Sequence, residues 1–134
     1  MLDVNVLIAA LLARDGAPAR LLLRWLAGDF ELIISDKLLS ELGRALSYPK
    51  LRSRISRDDA SAFVELLESA ATKAPDPDER KQRSRDAGDD YILALASSTS
   101  AVVVSGDRDL LDLRAELPIY SPQEFHSRLD QSTP

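Results

Sequence analysis

Ala101-Val102-Val103-Val104 is the stretch that most narrows what this chain can become. Three consecutive β-branched residues are stiff at χ1 and favour a pleated strand. With no polar residue among them, both faces of that strand must be covered. Such a strand belongs inside a mainly parallel sheet, and the rest of the chain offers the layers to cover it. Leu32-Ile33-Ile34 and Pro118-Ile119-Tyr120 are further short apolar runs. Around them apolar residues recur every three or four positions: Leu21, Leu22, Trp25 and Leu26, then Leu38, Leu42, Ala45 and Leu46, then Ala60, Phe63, Val64 and Leu67. Strands alternating with amphipathic helices imply right-handed crossovers. The expected fold class is therefore α/β, a three-layer α/β/α sandwich around a central, mainly parallel sheet.

Local punctuation places the elements. Val4 to Leu12 reads as a buried helix, because Ala and Leu dominate its second half. Asp15 can cap a second helix that has Pro18 in its first turn and stops at Gly28. Ser35-Asp36 hands a strand over to a capped helix closed by Tyr48-Pro49, and Ser56, with Asp59 three residues on, opens another. Pro75 to Gly88 is dense in charge and reads as a long loop, with Asp76-Pro77-Asp78-Glu79 as solvated chain. Asp89 to Ala96 reads as a short helix, and Ser121-Pro122-Gln123-Glu124 as the capping box of the last one. At 134 residues the expectation is one domain, residues 1–130, with 131–134 as a tail.

Composition limits the chemistry. With no cysteine and a single His126, thiol catalysis, Cys-ligated metals and multi-histidine sites drop out, leaving carboxylates, hydroxyls, Lys and Arg. A net charge of −5 argues against a surface that coats nucleic acid, yet it allows a local basic face. Lys50, Arg52 and Arg54 form one such stretch without an intervening acid, and Arg80, Lys81, Arg83 and Arg85 a second. No segment is long and apolar enough to span a membrane, and Met1-Leu2 runs straight into Asp3 without a signal-peptide pattern. A cytoplasmic protein is the expectation.

In parallel α/β sheets, ligands bind outside the carboxyl ends of the strands, so the acids at strand-to-helix junctions carry the most information. These are Asp3, Glu41, Asp89, Asp90, Asp107 and Asp109. Each has a plain structural explanation when taken singly. Asp3 can be an N-cap, Glu41 a surface residue at the edge of a buried stripe, and Asp89 and Asp90 complements to a helix N-terminus. Asp107 and Asp109 can be turn and cap residues. Jointly they put an acid at every junction where the crevice should form. Carboxylates without His or Cys make a hard, all-oxygen site suited to Mg²⁺ or Mn²⁺, and the chemistry such a site serves best is phosphodiester hydrolysis.

Four segments, in order, resemble the motifs of PIN domains. Asp3-Val4-Asn5-Val6-Leu7-Ile8 looks like the opening motif, and Ser40-Glu41-Leu42 is similar to the second acidic position. Asp89-Asp90-Tyr91-Ile92-Leu93-Ala94-Leu95-Ala96 resembles the third motif, and Val104-Ser105-Gly106-Asp107-Arg108-Asp109-Leu110 the fourth. The nearest likeness is to small prokaryotic PIN proteins that are toxins of toxin–antitoxin pairs. The resemblance implies a Mg²⁺- or Mn²⁺-dependent endoribonuclease with RNA as substrate, an antitoxin protein as partner and, as in many small PIN proteins, a homodimer. It implies Asp3, Glu41, Asp90 and Asp107 as catalytic acids, with Asn5 and Ser105 orienting ligands or phosphate. Asp89 competes with Asp90 for the third position, and Asp109 can supplement Asp107 at the metal. The sequence departs from the pattern at Val4, where the family commonly has Thr. It also departs before Asp3, where Met1 and Leu2 stand in for a full strand and the expected strand is stunted, leaving its neighbours' backbone unpaired. Two rival readings are a catalytically weak PIN scaffold that binds RNA or a protein, and a receiver-like domain with a phosphorylated Asp.

Overall fold

A computed structural model describes residues 1–76 and 87–132, with the side chains of 87–90 and 132 left aside. Among these residues the chain forms eight helices and four two-residue strands. They are α1 (Val4–Leu12), α2 (Ala17–Leu26), β1 (Ile33–Ile34), α3 (Asp36–Leu46), α4 (Pro49–Arg52), α5 (Arg57–Ala70), β2 (Thr72–Lys73), α6 (Ala87–Thr99), β3 (Val103–Val104), α7 (Arg108–Leu111), β4 (Ile119–Tyr120) and α8 (Pro122–Ser132).

The strands pair in parallel, as expected, but among the described residues they form two separate two-stranded sheets, β1-β2 and β3-β4, where one central sheet was expected. Ile33 and Ile34 register with Thr72 and Lys73, and Val103 and Val104 with Ile119 and Tyr120. Leu2 forms a parallel bridge to Val104 on its own. The lead into Asp3 is short but held: the Met1 amino nitrogen donates to Val102 O at 2.8 Å, Val104 N to Met1 O at 2.8 Å and Asp3 N to Val104 O at 3.1 Å. The expected loss of pairing around this segment is therefore absent on the β3 side, and Leu2 is fully buried.

The sequence's capping signals act as expected. Ser35 Oγ accepts from Leu38 N at 3.2 Å, and Ser56 Oγ from Asp59 N at 3.1 Å. Ser121 and Glu124 bond reciprocally, at 2.9 and 3.2 Å. Helix α2 differs from expectation, because its N-cap is Gly16 with no side-chain bond, and Asp15 uses its carbonyl to receive Arg20 instead. That helix ends at Gly28, whose φ of +86° is the left-handed conformation glycine tolerates best. Helix α8 continues through Ser132, into the stretch expected as a tail.

The core takes one side from each helix. Leu21 and Trp25 of α2, Leu38, Leu42 and Leu46 of α3, and Leu67 of α5 are buried with Leu32, Ile34, Val103 and Val104. Trp25, at 7% exposure, is a core residue. Helix α8 is fastened onto α2 by Arg24 to Asp130 at 2.5 Å, and onto the segment after α2 by an edge-to-face contact of Phe125 with Phe30, centroids 5.2 Å apart. No described helix is long and apolar enough to cross a membrane.

Helix α3 shows how sharply burial separates neighbours, since Leu42 is 0% exposed while Glu41 is partly exposed. Leu42→Ala should cost about 2–5 kcal/mol through lost burial and the cavity left behind. Glu41→Gln should change stability by about 0.5 kcal/mol or less. Urea unfolding of both variants, compared with the parent chain, checks the contrast.

Candidate functional site

Three polar residues are buried among the described ones: Asp3, Ser35 and Ser105. All three lie where the chain leaves a paired strand segment. Two of them meet. Asp3 ends the segment bridged to β3 and caps α1, its Oδ1 accepting from Val6 N at 2.9 Å. Its Oδ2 accepts from the hydroxyl of Ser105, the first residue after β3. Ser105 Oγ in turn accepts from Asp107 N at 3.0 Å, and Asp107 Oδ1 accepts from Asp109 N at 3.0 Å, which caps α7. Parallel pairing of the first segment with β3 puts Asp3 and Ser105 at the same end of the sheet, and the turn Ser105-Gly106-Asp107 folds back over it.

Burial pushes the Asp3 carboxyl above its ordinary range. Ser105 and the amides of Val6 and Asn5 offset part of that rise, and the charge of Asp107 adds to it. The two carboxylates therefore lie within electrostatic reach of each other. Both are oxygen donors, so the described part of this pocket suits a hard divalent cation. Among the described residues no three acids gather into a metal-binding group. The side chains of Asp89 and Asp90, expected to supply the third acid, lie outside the described residues; their backbone forms the first turn of α6. Asp109 contributes its amide and lies partly buried. The Asn5 side chain is exposed, and its backbone amide is what reaches Asp3.

Glu41 does not gather with this pair into a three-acid group among the described residues, and its charge acts on Tyr91, the residue after Asp90. Tyr91 belongs to a second polar group that sequence reasoning missed. Its hydroxyl, on a residue only 1% exposed, is hydrogen-bonded to Ser35 Oγ and donates to Asp76 Oδ1 at 2.5 Å. Asp76 Oδ2 accepts from Lys37 N at 3.2 Å, and the Lys37 ammonium lies 4.2 Å from the centre of the Tyr91 ring. Burial would raise the Asp76 carboxyl. The bonds from Tyr91, Ser35 and the Lys37 amide outweigh it and hold the group below the usual range. The Tyr91 phenol is pushed up, first by burial and then by Asp76. Asp76 is thus tethered, where the sequence suggested solvated chain. The missed signal is the exposed strand β2 just before it, which no apolar run marks.

The basic stretch is not brought to the acids. Lys50 and Arg54 are exposed, and Arg52 lines a groove of about 320 Å³ between α3 and α5, with Arg57, Ser61 and Gly43. Among the described residues, Arg52 Nε finds no hydrogen-bond partner. At 100° per residue, Gly43 and Glu41 point about 200° apart around α3. The groove and Glu41 therefore lie on different flanks of that helix. The second basic group, Arg80, Lys81, Arg83 and Arg85, lies outside the described residues.

A family model described as PIN domain matches residues 1–109, a span that includes Asp3, Glu41, Asp107 and Asp109. An uncharacterized protein of Methanocaldococcus jannaschii is 26% identical over 135 residues, covering 93% of this chain and 87% of that protein.

Asp3 allows a test of the pocket without any substrate. Its folded-state pKa is raised, so its favourable contribution is full while it is protonated, below the ordinary value of 3.8, and is lost as the pH rises through the folded value. Asp3→Asn removes the buried charge and keeps an oxygen to cap α1. Without metal, the variant should match the parent chain in acid and melt a few degrees higher at neutral pH, by calorimetry across that range. Adding Mn²⁺ should raise the melting temperature of the parent and leave the variant unmoved.

Proposed function

Because the chain belongs to the PIN domain family, we propose that it is a Mg²⁺- or Mn²⁺-dependent endoribonuclease that hydrolyses RNA phosphodiesters in the cytoplasm. PIN domains are typically nucleases that use divalent metal ions and act on RNA or other nucleic acids. The observation that carries the reading to this chain is the buried Asp3 carboxylate beside Asp107, joined through Ser105 at the end of β3. The proposed catalytic acids are Asp3, Glu41, Asp90 and Asp107, with Asp89 and Asp109 as supplementary metal ligands. The proposed frame is the three-layer arrangement around a parallel sheet, which sets these acids at one edge.

Bound there, the divalent ion supplies a water acidic enough to deprotonate near neutral pH and positive charge to offset that of the phosphate. The chain's own work is positional. Ser105 donates to Asp3 Oδ2, which fixes the carboxylate plane and leaves its remaining lone pairs for a cation. The Ser105 hydroxyl also holds the Asp107 amide, so one side chain sets two acids. Asn5 is proposed to meet the ligand or phosphate through its exposed amide. Burial of Asp3 keeps competing water from that side of the pocket.

The motif likeness to toxins of toxin–antitoxin pairs supports an antitoxin as partner, one that would cover the acidic crevice. Leu23 and Leu26, 65% and 54% exposed on α2, support a second copy of the chain as a further partner. Purified protein should cleave RNA with Mn²⁺ and stop on chelation. Asp3→Asn and Asp107→Asn should each abolish most of the cleavage, while Ser105→Ala should lose about 10–100-fold. RNA retained on the protein with no metal-dependent cleavage would instead favour a binding scaffold.

A further inference from the structure

Ser35, Asp76 and Tyr91 come from three separate parts of the chain. Ser35 follows β1, Asp76 lies three residues past β2, and Tyr91 is in the first turns of α6. Their polar atoms form one hydrogen-bonded group. Tyr91 donates to Asp76 Oδ1, and its hydroxyl is hydrogen-bonded to Ser35 Oγ, which accepts from Leu38 N and also bonds the Asp76 carboxylate. At the other end, Asp76 Oδ2 accepts from Lys37 N. Both ends of the group thus close on adjacent amides in the first turn of α3, two donors that a helix cannot satisfy internally. The Tyr91 hydroxyl is the one link in this ring supplied by α6.

Simple core packing does not call for this ring. Phenylalanine would fill the same space, and a buried hydroxyl without partners is costly, so the ring's hydrogen bonds fix a distance between α6 and α3 that apolar contact would leave looser. The two helices so joined carry the proposed acids: Glu41 lies on α3, and Asp89 and Asp90 immediately precede Tyr91. Glu41 is also close enough for its charge to act on the Tyr91 phenol.

We propose that Tyr91 is a positioning residue for metal binding, its hydroxyl locking the first turn of α6 to the first turn of α3 through Ser35 and Asp76. This rests on the nuclease reading above, whose acids it sets. Tyr91→Phe removes only the hydroxyl: the ring remains under Lys37, and Ser35 and Asp76 stay near enough to meet directly or through water. The test is Mn²⁺ titration calorimetry on the whole chain, with metal-free melts alongside. Mn²⁺ affinity should fall about 10-fold or more, the range for groups that orient metal ligands. Asp76→Ala, a change at an exposed side chain that cannot empty the core, should weaken Mn²⁺ in the same direction. The double variant Ser35→Ala with Tyr91→Phe should be no weaker than the worse single one, because one ring is broken either way. A residue that only supports the fold would lower the metal-free melt and leave Mn²⁺ affinity alone. Mn²⁺ affinity within about twofold of the parent in both Tyr91→Phe and Asp76→Ala overturns the positioning role while leaving the nuclease reading intact. A parent chain that binds no Mn²⁺ overturns both.

Discussion

A carboxylate taken out of water is the constraint on which the rest of this architecture turns. Asp3 is 6% exposed, and among the described residues no Lys or Arg pairs with it. Burying such a group is costly unless it is hydrogen-bonded, and two of its bonds come from places that only the fold can bring together: the first turn of α1 and the first residue after β3. The capping bond alone could form in an isolated helix. The Ser105 bond requires Met1 to Asp3 to lie in parallel register along Val102 to Val104, which in turn requires the buried Val pair to be covered on both sides. Sheet pairing, helix capping and the acidic pocket are therefore one cooperative arrangement, and loosening any of them exposes the same carboxylate.

The two buried serines do parallel work at the ends of two strands, β1 and β3. Ser105 follows Val104 and Ser35 follows Ile34, each 0% exposed. Each accepts a backbone amide two or three residues on and passes a bond to a side chain from a distant part of the sequence: Asp3 in one case, Tyr91 in the other. A serine suits this position because its hydroxyl can accept and donate at once, and it is small enough to sit in the turn where strand becomes loop. Alanine would fit both turns but would leave a carboxylate or a phenol with one partner fewer in a dry place. Polar order just past β1 and β3 is thus held by two hydroxyls, while the residues of those two strands are apolar and indifferent to it.

How much of this was legible depends on whether burial or contact wrote the signal. Val102 to Val104, Leu32 to Ile34 and the stripe on α3 are recorded in residue type, because doubly or singly covered elements need apolar side chains at fixed periods. Ser35, Ser56 and the Ser121–Glu124 pair were legible because caps are local. Strand β2 was not, since Thr72 and Lys73 are both exposed and pair through backbone atoms that every residue possesses. Short helix α4 follows from Pro49 at its first position, a residue that reads equally well as the end of α3. At the site, Asp3 and Asp107 were visible as junction residues, and Ser105 came only with the resemblance of its motif to the fourth one of the family. The sequence could not reveal the link from Tyr91 to Ser35 and Asp76, because those partners are 56 and 15 residues away and each has an ordinary local role.

The placement of charge says how a nucleic acid would have to be held. Helix α3 runs for 11 residues, about 16 Å at 1.5 Å per residue, with Glu41 near its middle. The basic residues of α4 follow at its far end, and Arg52 faces the flank toward α5 rather than the one that carries Glu41. Positive charge on that flank is turned away from Glu41 and is screened by physiological salt over a Debye length of about 8 Å. It can still hold phosphates by counterion release. In the proposed nuclease, retention of a polyanion and chemistry on it would therefore be separable tasks of separate surfaces. Keeping them apart lets the pocket stay negative enough for a cation, which a guanidinium beside Asp3 would displace.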